Sequence, residues 1–372
     1  MRSVSSRPSS IGCEATNPVS YTVSMQVLMA MSGGVDSSVA AALLLDEGHD
    51  VVGVTMKLWG GESDTGCCSV SDVDDARRVA QQLGIDHFVF NFTDEFNEHV
   101  VGPYVDAHAH GITPNPCIEC NRHLKFDRLM ERADQLGFDA VATGHHARIV
   151  SAADGSLAIG RGGDSAKDQS YVLNMLTPSQ LAKIMLPVGG YQKPELRALG
   201  EARGLRTASK PDSQDVCFIT SSTGRETFLG SRIPLRSGRI VDTDGVELGT
   251  VPAIELVNIG MRKGLDVGGG PRRFALDVDV ENQVVTVGTL DQLMTHETPL
   301  SAVQRHHALD ADGVVLVQVS AHGVPESATL WEEADGVVWL RWASPHRKVA
   351  PGQSVVMYDP TNTYVTAAAI AR

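Results

Sequence analysis

A glycine-rich loop near the start of the chain constrains the fold more than any other feature. Residues 32–38 read SGGVDSS and stand between an apolar run at 26–31 and a stretch rich in alanine and leucine at 36–47. A strand, a glycine loop and a helix in this order suit an anion, because glycines let backbone N–H groups approach it and the helix N-terminus adds a positive dipole end. The loop lacks the Gly-Lys-Ser/Thr ending of a Walker A motif. The sequence therefore predicts a phosphate-binding loop in an α/β protein, with an ordinary glycine turn as the alternative.

Apolar runs alternate with amphipathic stretches as far as about residue 150. This alternation predicts a doubly wound parallel sheet with helices on both faces. Strands are expected at 26–31, 51–56, 87–92 and 139–143, and helices at 36–47, 71–83, 95–110 and 118–136.

The pattern changes after residue 150. A hairpin turn is expected at 153–156, and short helices at 169–175, 179–185 and 194–203. Short apolar runs that alternate with turns near the C-terminus predict a small β-barrel. We expect four segments: a disordered tail or misplaced start at 1–24, a catalytic domain at 25–220, a small central β-rich domain at 221–280 and a β-barrel at 281–372.

Charge and composition exclude several classes of protein. There are 31 Lys plus Arg and 45 Asp plus Glu, and the net charge of -14 argues against a broad, non-specific nucleic-acid surface. No apolar run reaches the roughly 18 residues of a membrane span, and residues 1–24 lack the apolar core of a signal peptide. We therefore expect a cytoplasmic protein with no membrane partner. Two local clusters, at 193–239 and 262–273, are basic, so a bounded nucleic-acid site remains compatible with the total.

Three of the six cysteines lie in segments that suggest chemistry. Cys117 and Cys120 belong to the segment NPCIEC just before a predicted helix, where the helix N-terminus favours a thiolate. Cys217 follows about a hundred residues later in a polar segment. A CxxC pair can be half of a zinc site, but no second pair lies nearby. Buried, inert cysteines are the other alternative. It is favoured for the remaining three, Cys13, Cys67 and Cys68.

Several motifs resemble known families. The loop resembles the SGGxDS signature of the PP-loop ATP pyrophosphatases, whose fold is adenine nucleotide α-hydrolase-like. A longer set of segments, in the same order, resembles the bacterial tRNA-specific 2-thiouridylases, densely from residue 25 to about 220 and more thinly beyond. These segments are SGGVDSS (32–38), GCCS (66–69), TPNPCIECNRHLKF (113–126), ATGHHAR (142–148), KDQSYVL (167–173), KPDSQDVCFI (210–219) and APGQ (350–353).

The resemblance implies a tRNA-uridine 2-sulfurtransferase that binds ATP in the glycine loop and transfers AMP to an oxygen of its substrate. Asp36 would hold the Mg²⁺ that accompanies ATP, since this ion prefers carboxylate and phosphate oxygens. The residues implied in ATP binding are Ala30, Met31, Ser32, Gly33, Gly34, Val35, Asp36, Ser37, Met56 and Gly144.

The resemblance also implies a substrate and a mechanism. The C2 oxygen of the wobble uridine (U34) in tRNA for Lys, Glu and Gln would be adenylated and then replaced by sulfur. Cys217 would carry a persulfide received from a cysteine desulfurase or sulfur-relay protein, and Cys120 would complete the transfer, leaving a transient disulfide between the two. A second thiol is required because release of the sulfur takes an electron pair. The central domain would bind tRNA. Contacts with the target base or tRNA are implied for Asn115, Pro116, Cys117, His145, Lys167, Asp168, Gln169 and Gln353.

The sequence departs from the family at several positions. Position 117 is Cys where some members carry an Asp with an acid–base role, so Cys117, Cys120 and Cys217 could instead hold a [4Fe-4S] cluster with one open iron. Residues 257–265 differ at three positions from the family's central stretch, and the family's Arg-Tyr contact with tRNA falls on Ser320-Ala321. Two other classes stay open: a PP-loop small-molecule amidating ligase, which needs no cysteine pair, and a binding module without catalysis.

Overall fold

The computed structural model describes most of the chain, with short gaps. The described residues are 23–59, 70–212, 216–219, 224–265, 267–268, 271–309, 312–334 and 336–372. Residues 1–22 of the expected tail, and with them Cys13, lie outside the described residues, as do Cys67 and Cys68.

The N-terminal half of the chain contains a five-stranded parallel sheet in the order β3-β2-β1-β4-β7 and a separate hairpin, β5-β6. Its central strand, β1, pairs on one side with β2 and on the other with β4, so the glycine loop follows a strand with neighbours on both sides. The strands are β1 Gln26–Ala30, β2 Asp50–Lys57, β3 His87–Asn91, β4 Ala140–Ala142, β5 Arg148–Ser151, β6 Leu157–Gly160 and β7 Ile184–Met185.

Helices cover both faces of this sheet. Side chains of β1 alternate between two apolar clusters, with Val27 and Met29 in one and Leu28 and Ala30 in the other. The doubly wound α/β fold expected from the sequence is therefore confirmed. The helices are α1 Val35–Asp46, α2 Val70–Leu83, α3 Thr93–Phe96, α4 Gly102–Ala109, α5 Pro116–Glu119, α6 Leu129–Leu136, α7 Pro178–Leu181, α8 Lys193–Ala202, α9 Gly224–Gly230 and α10 Leu290–Leu293. The described residues also include two π-helical stretches, Asn97–Val101 and Cys120–Arg128, and two 3₁₀ turns, Ser170–Leu173 and Ile254–Leu256.

One predicted helix is wrong over part of its length. The sequence predicts a helix at 179–185, but α7 ends at Leu181, and Ile184 and Met185 instead form the edge strand β7. These two residues are buried and pair with Val141 and Ala142 of β4. Tertiary pairing of a short apolar run thus overrides its local pattern.

The C-terminal half consists of β-structure, as the sequence predicts. A four-stranded sheet in the order β10-β11-β8-β9 precedes a closed barrel in the order β12-β15-β14-β13-β16-β17. The sheet strands are β8 Gly238–Val241, β9 Glu247–Val251, β10 Phe274–Asp279 and β11 Val284–Gly288. The barrel strands are β12 Met294–Arg305, β13 Val314–Gln318, β14 Glu326–Glu332, β15 Val338–Arg347, β16 Ser354–Tyr358 and β17 Val365–Ala371. Among the described helices, none combines the length and apolar character of a membrane span.

One arginine joins the α/β domain to the barrel. Arg161, directly after β6, donates to Asp168 Oδ2 at 2.8 Å, to Gln318 Oε1 at 2.8 Å and to Asn362 Oδ1 at 2.7 Å. Its guanidinium carbon lies 3.4 Å from the centre of the Tyr358 ring. The Arg161 and Asp168 side chains are only 15% and 9% exposed, so this ion pair is largely desolvated.

The Arg161→Met variant is expected to lose about 3 kcal/mol of unfolding free energy, because it leaves the Asp168 carboxylate buried without its cation. Urea-induced unfolding measures the loss. Arg341→Met is the matched control, since Arg341 also pairs with a carboxylate, Glu297, at 3.0 Å and lies over a ring, Trp331, but is 60% exposed. That control is expected to lose less than about 1 kcal/mol. Equal losses of unfolding free energy in the two variants would show that the buried Arg161–Asp168 pair adds no more stability than an exposed pair.

Candidate active site

The glycine loop and the first turn of α1 form a compact set of hydrogen-bond donors. Gly34 caps the helix with extended backbone, and its carbonyl oxygen accepts from Ser37 Oγ at 3.2 Å and Ser38 Oγ at 2.8 Å. Ser37 Oγ also accepts from the Ser32 amide at 3.2 Å. The loop therefore holds its own shape, and the first amides of α1, which have no partner within the helix, are available to an anion.

Two glycines permit the close backbone approaches that shape this loop. Gly33 has a φ of +72°, and a Cβ there would stand 2.3 Å from the Asp72 carbonyl oxygen. A Cβ at Gly144 would stand 2.6 Å from the Ser37 amide nitrogen. Lys210 donates to the Gly33 carbonyl at 3.0 Å and also to Asp72 at 2.6 Å. The segment after β4, the start of α2 and the start of α1 thus meet at the loop.

Asp36, in the first turn of α1, is surrounded by basic groups. Lys193 Nζ lies 2.8 Å from each of its carboxylate oxygens, and His146 Nε2 lies 3.2 Å from Oδ1. Burial by itself would raise the pKa of the Asp36 carboxyl, but His146 and Lys193 hold that pKa below its usual range. Asp36 is therefore ionised at neutral pH, directly after the glycine loop.

A second carboxylate, Asp212, links this site to neighbouring segments. It accepts from Lys167 at 2.8 Å, from Arg197 at 2.9 Å and from Lys193, the same ammonium group that binds Asp36, at 2.8 Å. Burial opposes ionisation, but the two lysines lower the pKa of Asp212 to about 2. Lys167 was implied by the family resemblance in tRNA contact, and its ammonium group is here tied to that of Lys193 through the Asp212 carboxylate.

Asp212 gives an expected pH dependence of stability. Its pKa is lower in the folded chain than the ordinary 3.8, so its stabilising contribution is complete above about pH 4 and is lost as the pH falls towards about 2. With solvent screening, this contribution is about 1–2 kcal/mol. The difference in unfolding free energy between wild type and Asp212→Asn should therefore shrink between pH 5 and pH 2.5. Asp134→Asn, which removes an exposed partner of Lys183, should show a difference below about 0.5 kcal/mol throughout. A difference for Asp212→Asn that did not change with pH would contradict the assignment.

The cysteine motif begins a long helical segment. The Asn115 side chain caps it by accepting from the Cys117 amide at 3.1 Å and the Ile118 amide at 3.3 Å, and Pro116 is its first residue. Cys117 is exposed, whereas Cys120 is buried at the start of the π-helical stretch. Short π-helical segments are frequent at functional sites. Asn115 and Pro116 thus orient the turn that carries both thiols.

Cys217 precedes Phe218, whose ring packs against three other aromatic rings. The Phe218 ring lies 5.3 Å from the Tyr104 ring, 5.7 Å from the Phe96 ring and 5.1 Å from the Phe228 ring. The apolar cluster to which these rings belong includes Cys120, and Cys217 packs against it partly buried. Two cysteines about a hundred residues apart in sequence therefore border one cluster.

The other residues implied in tRNA contact are placed as follows. His145 is buried with Nδ1 2.7 Å from Thr143 Oγ1, and burial, aided by the charges of Lys125 and His146, holds its pKa well below the usual range. Gln169 accepts from the His146 amide at 2.9 Å. The barrel turn before Gln353 lies against the cysteine loop. There, the Pro351 carbonyl accepts from the Thr113 amide at 2.8 Å.

Ala30, Met31, Val35 and Met56, implied in ATP binding, are buried around the loop. Ala30 and Met56 belong to one of the two apolar clusters of the domain, and Met31 and Val35 to the other. No three His, Cys, Asp or Glu side chains are grouped to hold a metal ion in the described ranges. Asp36 fits as one protein ligand for a Mg²⁺ that brings its own phosphate ligands.

Comparison with known proteins agrees with these features. The family model described as tRNA methyl transferase HUP domain matches residues 25–221, and the Aminomethyltransferase beta-barrel domain matches residues 294–365. The tRNA-specific 2-thiouridylase of Mycobacteroides abscessus is 46% identical over 90% of this chain and 96% of its own. Those of Chloroflexus aurantiacus and Herpetosiphon aurantiacus are 43% and 41% identical, over 89% and 90% of this chain and 94% and 95% of their own.

The chain belongs to the tRNA-specific 2-thiouridylase family.

Membership of the 2-thiouridylase family was expected from the sequence motifs, but parts of the site were not. Lys193, Arg197 and Asp164 were missed, and they lie in segments without a recognised motif. The Lys193 amide donates to Asp164 Oδ2 at 3.0 Å, and the Asp164 pKa is lowered chiefly by that hydrogen bond. One signal could have found Lys193. A cation at the first residue of a helix opposes the helix dipole and calls for a reason.

The basic cluster at 193–239 offers less unpaired positive charge than its composition suggests. Within the described residues, ion pairs with carboxylates occupy Lys193, Arg197, Arg203, Arg206, Lys210, Arg236 and Arg239. In the second cluster Arg262, Lys263 and Arg272 are exposed. In this member of the 2-thiouridylase family, the second cluster is therefore the better candidate for a basic surface.

Proposed function

We propose that this protein catalyses ATP-dependent 2-thiolation of the wobble uridine in tRNA for Lys, Glu and Gln. The observation that carries the proposal is a phosphate loop of the SGGVDS type in a chain whose Cys120 lies in one apolar cluster and whose Cys217 packs against the same cluster. The relatives' name, tRNA-specific 2-thiouridylase, supports the same activity.

The first step is adenylation. The amides at the start of α1, with Ser37 and the glycine backbone, bind the phosphates of ATP, and the C2 oxygen of uridine attacks the α-phosphorus and releases pyrophosphate. Mg²⁺ with Asp36 as its protein ligand would supply charge neutralisation at the phosphates. This step turns a poor leaving oxygen into AMP, because the C2–O bond can then break with the negative charge on phosphate.

The second step is sulfur transfer. Cys217 carries a persulfide received from a cysteine desulfurase or a sulfur-relay protein. The outer sulfur attacks C2 and AMP leaves. The Cys120 thiolate then attacks the Cys217 sulfur, which breaks the S–S bond and leaves the outer sulfur on the base as 2-thiouridine. The products are 2-thiouridine and a Cys120–Cys217 disulfide, which a dithiol reductant returns to two thiols for the next turnover.

The tRNA would be held by several segments. Lys167 and its neighbours Asp168 and Gln169, His145, and Gln353 on the barrel turn are the family-implied contacts. The exposed Arg262, Lys263 and Arg272 add a basic surface of limited extent. Binding through such a patch should weaken with salt, in spite of the net charge of -14.

Analysis of tRNA nucleosides tests the function in the cell. Deletion of the gene should remove 2-thiouridine derivatives from the wobble position of these tRNAs, and the wild-type gene should restore them. Normal 2-thiouridine in the deletion strain would refute the proposal. An amidating ligase would leave tRNA unchanged and would need neither cysteine.

A further inference from the structure

Lys193 occupies a position where both burial and the helix dipole disfavour a lysine. Its side chain is only 10% exposed, and lysine is rarely buried without a purpose for its charge. It is also the first residue of α8, where the positive end of the helix dipole disfavours a cation. Positions that break local rules in an otherwise consistent fold are commonly functional.

The place of the ammonium group is specific. Lys193 Nζ lies 2.8 Å from both oxygens of Asp36 and 2.8 Å from Asp212 Oδ1. Asp36 is the second residue of α1, directly after the glycine loop. The ammonium group therefore stands beside the helix N-terminus whose amides suit an anion. The Lys193 amide is fixed on Asp164, while four rotatable bonds let the ammonium group move by several ångströms.

We propose that Lys193 is a phosphate-binding residue of the ATP site, and that its ammonium group exchanges the carboxylates of Asp36 and Asp212 for phosphate oxygens of ATP. The inference rests on the proposed function only in taking ATP as the ligand. It assigns Asp212 the role of a competitor for Lys193. Asp212 keeps Lys167 and Arg197 as partners after the exchange, so its carboxylate is not left without a cation.

This exchange predicts opposite effects for two partners of one ion pair. Lys193→Met removes the phosphate ligand and should weaken ATP binding. Asp212→Asn removes a competitor and should leave ATP binding unchanged or tighten it. If the pair served only to hold the fold, both variants would weaken ATP binding together or neither would.

Equilibrium dialysis of radiolabelled ATP, with Mg²⁺ and without tRNA, measures the effect on the full chain. We expect the Kd of Lys193→Met to rise by about tenfold or more, as for loss of a charge-assisted hydrogen bond, and that of Lys193→Arg by less than about threefold. Asp212→Asn should bind ATP as tightly as wild type or up to about threefold more tightly. Lys183→Met is the matched control, since Lys183 pairs with Asp134 at 2.7 Å on the exposed surface, and its Kd should not change.

Two results would overturn the inference: an unchanged Kd in Lys193→Met, or an equal weakening in Asp212→Asn. If Lys193→Met fails to fold by circular dichroism, Asp212→Asn and Lys193→Arg still decide, because weaker binding in the former contradicts the exchange. Wild-type protein that binds no ATP would sink this inference and the proposed function together. Wild-type protein that binds ATP, with Lys193→Met binding equally well, would sink the inference alone.

Discussion

Cys217→Ser is expected to lose tRNA thiolation by roughly 10³-fold or more, while tRNA-dependent release of pyrophosphate from ATP continues. In the proposed mechanism Cys217 carries the sulfur, whereas adenylation depends on the phosphate loop and Asp36, which this substitution leaves unchanged. Cys120→Ser should lose thiolation to a similar degree, because the outer sulfur of the persulfide is then not released. Quantification of 2-thiouridine and of pyrophosphate in the same reaction separates the two steps.

The Cys117→Ser variant distinguishes the two routes of sulfur delivery. The persulfide route predicts a loss of thiolation below about tenfold, since Cys117 is neither the carrier nor the releasing thiol. A cluster held by three cysteines predicts complete loss and a brown wild-type protein. Thiolation that persists in Cys120→Ser or Cys217→Ser would contradict the two-cysteine mechanism.

Gly33→Ala is expected to raise the Kd for ATP by more than about tenfold, because a Cβ at a φ of +72° would meet the Asp72 carbonyl oxygen at 2.3 Å. That oxygen is backbone and cannot rotate away as a side-chain atom could. The loop must shift, and with it the α1 amides of the proposed phosphate site and the contact of Lys210 with the Gly33 carbonyl. Dialysis of labelled ATP measures the effect, and thermal unfolding checks that the variant is folded.

Gly48→Ala is the matched control for this variant. Gly48 lies just beyond the other end of α1, with a φ of +87° and no atom within 4 Å of an added Cβ. It should lose about 1 kcal/mol of stability and bind ATP normally. If both variants bound ATP equally well, the close approach at Gly33 would be irrelevant to nucleotide binding.

Much of the fold could be predicted from the sequence, because local signals and tertiary structure agree there. The expected strands at 26–31, 51–56 and 87–92 differ from β1, β2 and β3 by one residue, at one end or at both. The hairpin turn at 153–156 and the closed C-terminal barrel are likewise confirmed. Apolar periodicity and glycine turns are local in sequence, so a single sequence contains them.

The charge network could not be predicted in this way. Asp36, Lys193 and Asp212 form ion pairs although they are distant in sequence, and no periodic pattern in a sequence predicts such contacts. Arg161 gave no signal either, since its partners Gln318 and Asn362 belong to the barrel. The apparent basic segment at 193–239 was misleading for the same reason: composition counts charges but not the carboxylates that pair with them.

In vitro thiolation tests the central claim most directly. The purified protein would be incubated with ATP, Mg²⁺, an unmodified tRNA for Glu and a persulfide donor enriched in ³⁴S, and the nucleosides would be analysed by mass spectrometry. The account predicts ³⁴S-labelled 2-thiouridine at position 34, with one AMP and one pyrophosphate formed for each sulfur inserted. Sulfur at another nucleoside, insertion without ATP, or an unmodified tRNA from folded protein that binds ATP would contradict it.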